Sequence, residues 1–277
     1  MMARMLQLDR RILIGGIILV VLVALSLLTP ILPLGDPAKV AAGPRLSPPS
    51  WLFPFGTDQL GRSNLPRVLQ AIQSTCILSA LAIALTMVVA TPLALFAAYR
   101  GGLIDQGVMR IADVLFALPP MLMAVLVAAI VGPGWLASVA AIVMISLPLF
   151  LRIVRSAALS VARRDFVTVA RLSGASPLRV VFVHLLGNII GPLTVQFAYA
   201  LSVGMLIEST LSFLGMGMQP PAASLGSLLF TGTPFIAIAP WLVLLPGLVL
   251  TLIVIAINLL SDGLRHAIDP IEQQGIA

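Results

Sequence analysis

The sequence predicts an all-α polytopic membrane protein with six transmembrane helices and both termini on the cytoplasmic side. Three observations carry that prediction. The 277 residues are 60% hydrophobic and only 9% charged, whereas soluble domains are roughly 45–50% apolar and about 25% charged. The apolar residues gather into uncharged runs of bilayer-crossing length, about 18 residues or more, without the short alternating segments of a membrane β-barrel. The basic residues, fifteen Arg and Lys39, divide unevenly between successive loops, as the positive-inside bias demands.

The first span is expected over Ile12–Leu32. Its charge-free start outruns the roughly 7–15-residue core of a signal peptide, and no A-x-A site follows, so it reads as uncleaved. The second lies within the uncharged stretch Val68–Tyr99. The run Val114–Leu151 is too long for one helix, and Gly132-Pro133-Gly134 divides it into spans three and four. Span five is Leu185–Ile207. Span six is Trp241–Leu260, with Trp241 as an interfacial anchor. Between these two, 209–240 is uncharged but broken by Gly and Pro, the pattern of a re-entrant or interface-lying segment. With the N-terminus inside, twelve basic residues face the cytoplasm (Arg4, Arg10, Arg11, Arg100, Arg110, Arg152, Arg155, Arg163, Arg164, Arg171, Arg179 and Arg265) and four face outward (Lys39, Arg45, Arg62 and Arg67). The chain thus divides into 1–67, the first span and an outer loop; 68–265, a five-helix core; and 266–277, a cytoplasmic tail.

The net charge of +6 is scattered along the chain, which argues against nucleic-acid binding. A single cysteine, Cys76, cannot form an intrachain disulfide and is read as a packing residue. No Gly-rich loop carries a lysine, since the sole lysine is Lys39, so a Walker A nucleotide site is excluded. His184 and His266 lack companions at ligand spacing, and no metal site is expected.

One cytoplasmic stretch, within 160–190, is built differently. Asp165 is expected to cap a short helix with Phe166, Val169, Ala170 and Ser173 on one face. Gly174 can take the left-handed conformation that ends it. Ser176 and Pro177 supply a second N-cap and first helical residue, and Leu178, Val181, Phe182, Leu185 and Ile189 form a stripe at helical spacing. The reading is two short helices joined by an elbow, Gly174-Ala175-Ser176, flanked by Arg171 and Arg179. An apolar stripe outside the membrane needs a partner surface. The plainer alternative is a loop whose arginines only set topology.

FVTVARLSGASPLRVVFVHLLGN resembles the cytoplasmic EAA loop of ABC-importer membrane subunits. Ala170 and Gly174 match that pattern. Thr168 stands for its Glu, Val169 for its middle Ala and Gly187 for its Pro. FGTDQLGR (55–62), YRGGLIDQGVMRIADVLFALP (99–119), ESTLSFLGMGMQPP (208–221) and NLLSDGLRHAIDP (258–270) resemble the peptide/nickel branch of that family in the same order, so the resemblance covers about residues 55–270. Ser63 stands where an Asp usually follows FGTDQLGR. RLSG with HLLG leans toward nickel-type members. The resemblance implies the ABC type I importer transmembrane-domain fold in a bacterial cytoplasmic (inner) membrane. It implies a permease for peptides, nickel or related small solutes. A homologous permease would share the pathway, and an extracytoplasmic binding protein would deliver cargo to 33–67 and 208–240. Two ATPase subunits would hold the ATP and Mg, with no cofactor on this chain. They would dock on Asp165, Thr168, Ala170, Arg171, Gly174, Ala175, Ser176, Pro177 and Arg179, and a rigid helix running into span five would transmit their motion.

Few ionisable groups lie within the spans. Glu208, with Met205, is a candidate for the pathway or its gate; the alternative is a cap for the segment from Ser209. Arg110 with Asp113, and Arg265 with Asp262, are expected to pair at span ends. The methionines read as packing residues. A secondary transporter or channel would need coupling carboxylates or polar pore-lining residues within the spans, and an intramembrane enzyme a nucleophile with its base; neither pattern is present. A passive scaffold would require nothing special at Gly174.

Overall fold

The computed structural model describes residues 10–268; Arg4 and the tail beyond Ile268 lie outside them. The described residues fold as ten α-helices: α1 (Arg10–Leu27), α2 (Asn64–Arg100), α3 (Gly102–Ala117), α4 (Pro120–Val131), α5 (Trp135–Ala162), α6 (Asp165–Leu172), α7 (Pro177–Arg179), α8 (Leu186–Phe213), α9 (Leu225–Gly232) and α10 (Trp241–Ile268). A π-helical turn, Val180–Leu185, joins α7 to α8, and a 3-10 turn, Thr233–Phe235, follows α9. Five continuous stretches are long and apolar enough to cross a membrane: α1, α2, α5, Pro177–Phe213 and α10. The bent pair α3 and α4 makes a sixth only if its two helices are taken together as one broken span.

That bend revises the expected third span. α3 and α4 meet at 93°, so Val114–Val131 is not one helix. The cause is Pro119-Pro120. Each proline drives the residue before it out of the helical region, and Leu118 (ψ 132°) and Pro119 (ψ 134°) are both extended. Pro120 then starts α4 at the position proline favours. The 12 residues of α4 rise only about 18 Å, short of a hydrocarbon core of about 30 Å. The break between α4 and α5 falls at the expected Gly-Pro-Gly, with Gly132 at φ +89° and Gly134 at φ +146°.

α3 is pinned along α5 by charge. Arg155 grips both carboxylate oxygens of Asp105, and Arg152 bonds Asp113 at 2.8 Å while its guanidinium lies 4.5 Å from the Phe116 ring centre. Asp113 therefore pairs across helices rather than with Arg110, one turn away. Asp262 and Arg265 make no ion pair within 4.0 Å among the described residues. Because the Arg155–Asp105 pair is partly buried and bidentate, Arg155→Leu should weaken α3 docking by about 1–2 kcal/mol. Hydrogen exchange across 102–117 should quicken roughly tenfold; unchanged exchange would mean that apolar packing alone holds α3.

The bundle centre lies where α2, α5 and α8 meet. Ile83, Leu95, Ile142, Phe150 and Leu185 are fully buried there. A second core joins α2, α8, α9 and α10 through Ile72, Met205, Leu225 and Ile253, with Cys76 half-buried against it. α1 lies on the outside against α10. Its approach is close because Gly15 faces Ala256: a Cβ on Gly15 would sit 2.5 Å from the Ala256 carbonyl oxygen. Small residues permit such contacts between membrane helices.

Candidate coupling elbow and outer gate

The elbow forms where the sequence places it, with one change at its start. Arg164, not Asp165, holds the extended N-cap position of α6, and Asp165 is the first helical residue. Its carboxylate there still complements the positive end of the helix dipole. At the other end the Ala175 N–H bonds the Ala170 carbonyl at 3.0 Å and the Gly174 N–H bonds the Arg171 carbonyl at 3.1 Å. Those two bonds form a Schellman motif, which needs a left-handed residue, and Gly174 supplies it with φ +81°. Ser176 then caps α7, its hydroxyl accepting from the Arg179 N–H at 3.4 Å, with Pro177 next.

Val167, Val180, Val181, Leu185 and Ile189 turn inward and seat the elbow on the bundle. Of the expected stripes, Val181, Leu185 and Ile189 are thus buried, whereas Phe166, Val169, Leu178 and Phe182 remain exposed, as do Leu172 and Val183 beside them. Asp165, Thr168, Arg171, Gly174, Ser176, Pro177 and Arg179 are exposed beside them, with Ala170 and Ala175 half-buried. Arg171 reaches back to stack its guanidinium 4.6 Å from the Tyr99 ring centre at the end of α2. The helix leading into span five is continuous but not regular. In its π turn the Leu186 N–H bonds the Val181 carbonyl, five residues back. Pi turns are uncommon and concentrate at functional positions.

The other end of the molecule holds the candidate gate. α2 has 37 residues, so its first turn stands about 55 Å from its last. Glu208 and Met205, one turn apart on α8, are 0% and 1% exposed, so both sit in packed interior. α8 runs on to Phe213, which places Glu208 within a helix rather than at the cap of a new segment. The Glu208 carboxylate accepts from Thr75 at 3.1 Å and from Ser212 at 2.7 Å. Thr75 accepts in turn from the Leu225 N–H at the start of α9, at 3.1 Å. Ser212 also accepts from the Met218 N–H at 3.1 Å. One buried carboxylate therefore ties together α2, α8, the 214–218 turn and the first residue of α9.

Asp58, within FGTDQLGR, organises the loop before α2, a role that spacing alone does not reveal. It is 4% exposed. Its carboxylate accepts from the Leu60 and Arg62 N–H groups, each at 2.9 Å, from Arg62 Nε at 2.7 Å and from Arg67 Nη1. The two glycines of the motif have left-handed φ, +69° at Gly56 and +70° at Gly61. A Cβ on Gly56 would lie 2.6 Å from the Ser47 carbonyl oxygen and from Nε1 of Trp241, the first residue of α10. The sequence marks Asp58 only as part of the FGTDQLGR motif, with Arg62 and Arg67 nearby.

Residues 90–271 match the family described as binding-protein-dependent transport system inner membrane component. The chain is 38% identical over 264 residues to the di/tripeptide transport system permease protein DppC of Pseudomonas aeruginosa, covering 93% of this chain and 87% of that one. It is 34% identical to the dipeptide transport system permease protein DppC of Haemophilus influenzae, over 95% and 91% of the two chains. It is 36% identical to the glutathione transport system permease protein GsiD of Pectobacterium atrosepticum, over 80% and 74%. Among solved structures, an inward-facing form of the MetNI methionine ABC transporter superposes with a TM-score of 0.59 at 18% identity, covering 73% of this chain and 96% of that chain; at that identity the likeness speaks for the fold. The chain belongs to the binding-protein-dependent inner-membrane components, and it is a permease subunit of an ABC importer.

Proposed function

We propose that this permease carries short peptides inward across the bacterial inner membrane, driven by ATPase subunits that dock on the elbow around Gly174. The observation that carries the substrate class is the 38% identity, over 93% of this chain, to a di/tripeptide permease. The relatives named above handle di- and tripeptides, dipeptides and glutathione, which favours peptides over nickel. The exposed apolar side chains about the elbow support the docking site, since such a patch outside the bilayer calls for a partner. The nine elbow residues, Asp165 to Arg179, form the contact. The chain itself is not an enzyme; ATP and Mg belong to two ATPase subunits. A homologous permease completes the pathway, and an extracytoplasmic binding protein delivers cargo to the opposite face. Both termini and the elbow lie in the cytoplasm, in keeping with the arginine count. Glu208 and Met205 act as parts of an outer gate.

Gly174→Val tests the docking site. A Cβ there would meet nothing within 4 Å, so the substitution acts through the backbone alone, at about 1–2 kcal/mol for a left-handed non-glycine residue. It should leave the bundle folded, open the elbow and cut dipeptide uptake by the assembled importer at least about tenfold, with less ATPase co-purifying. Full uptake by the variant, or uptake by the chain alone without ATP, would refute this reading.

A further inference from the structure

Arg62 and Arg67 share a single carboxylate, Asp58, so the cluster carries one surplus positive charge. Arg67 is 7% exposed. Each arginine makes one side-chain hydrogen bond, from Nε of Arg62 and Nη1 of Arg67. A guanidinium offers five N–H donors, so most of theirs have no protein acceptor among the described residues. Both line a cavity of about 220 Å³ between the loop before α2, the 215–222 segment and α9. Its floor includes buried Ser212, its wall Ser227 and Thr231, and its rim exposed Gln219. Ser212 is spent on Glu208 and Met218, and Ser227 and Thr231 donate to backbone carbonyls of their own segment. The acidic groups nearby are already engaged: Asp58 by both arginines and Glu208 by Thr75 and Ser212.

We propose that this cavity is a binding site for a monocarboxylate at the face opposite the elbow. Arginine pairs match the planar, two-oxygen geometry of a carboxylate. A single negative charge balances the surplus of one, whereas a phosphate dianion overshoots it. The two guanidinium groups line the cavity with donors that Asp58 does not use, and a charge-assisted bond to an incoming carboxylate is stronger than one to a neutral acceptor. Identifying the carboxylate with the terminus of a transported peptide rests on the import reading above. The site also touches the gate, since Ser212 on its floor holds the Glu208 carboxylate.

The test uses the full-length chain in nanodiscs of uncharged phosphatidylcholine, followed by saturation-transfer NMR of acetate, dialanine and dialanine amide. Acetate and dialanine should take up saturation, dialanine amide about tenfold less, the loss of one charge-assisted contact. Arg62→Gln should reduce both carboxylate signals to a similar degree. Thr231→Glu, which leaves the Asp58 cluster intact, should do the same by placing a competing carboxylate in the cavity. Equal signals for dialanine and its amide, acetate binding untouched by both substitutions, or displacement of acetate by equimolar inorganic phosphate would each overturn the site. Arg62-dependent acetate binding alongside failed peptide uptake would keep the site and reject the peptide reading alone.

Discussion

Asp58→Ala is expected to be among the most damaging single substitutions in the chain, at about 3–5 kcal/mol, because it strands a buried charge. Arg67 is 7% exposed and its side chain bonds only Asp58 among the described residues. The loss reaches further than one pair. The same carboxylate holds the Leu60 and Arg62 N–H groups, and the turn they fix positions its neighbours. Ala41 N–H bonds the Leu60 carbonyl at 2.9 Å, Gly43 N–H the Gly61 carbonyl at 3.0 Å and Leu46 N–H the Asp58 carbonyl at 3.1 Å. The variant should therefore unfold earlier in detergent and be cut by protease within 41–62. Asp58→Ala combined with Arg67→Leu should recover part of the loss, since no charge is then left unpaired, and the cycle of single and double variants isolates that coupling. A double variant no better than the single would place the damage in the backbone turn rather than in the stranded arginine.

The features that sequence reveals here are those whose cause is local. Apolar run length marks the spans, and Gly174 with Ser176-Pro177 marks the elbow, because helix ends are governed by residues within a turn of them. The misreadings have a common source as well. An unbroken apolar run carries the expected span three through Leu118-Pro119-Pro120 and outweighs the two helix-breaking residues inside it. The charge of Glu208 ends the expected span five at Ile207, yet α8 continues to Phe213, with Thr75 and Ser212 bonding Glu208 within the bundle. Spacing pairs Asp113 with Arg110, while the structure pairs it with Arg152, 39 residues away. Which arginine lies across a helix interface is a property of packing, and periodicity on one helix does not contain it. For the same reason Asp58 reads in sequence as part of a motif and in structure as the centre of a loop. The helix running from the elbow into span five is a mixed case. Its continuity from Pro177 to Phe213 is legible, but the π turn within it depends on how Val180, Val181 and Leu185 pack against the bundle.

Gly226→Ala is expected to destabilise the chain by about 2–6 kcal/mol although it adds one carbon, and Gly187→Ala to be neutral or stabilising by up to about 1 kcal/mol. Both glycines are helical, so propensity favours alanine at each. The difference is what a Cβ meets. At Gly187 it meets nothing within 4 Å. At Gly226 it would lie 2.0 Å from the Ser209 carbonyl oxygen and 2.6 Å from the Ser209 Cα and carbonyl carbon. These are backbone atoms of α8, so no rotamer change relieves the clash and α9 must lift away. Lifting α9 withdraws the Leu225 N–H from Thr75, and Thr75 is one of the groups holding the Glu208 carboxylate. Two penalties then add: overpacking at about 1–3 kcal/mol and a poorly satisfied buried polar group at about 1–3 kcal/mol. The paired melting curves separate this cause from a general intolerance of helix substitutions, because only the Gly226 variant should fall. Equal midpoints for both variants would mean that α9 does not rest on α8 as described. A selective loss at Gly226 would instead show that the close seat of α9 on the Ser209 backbone holds this end of the bundle together.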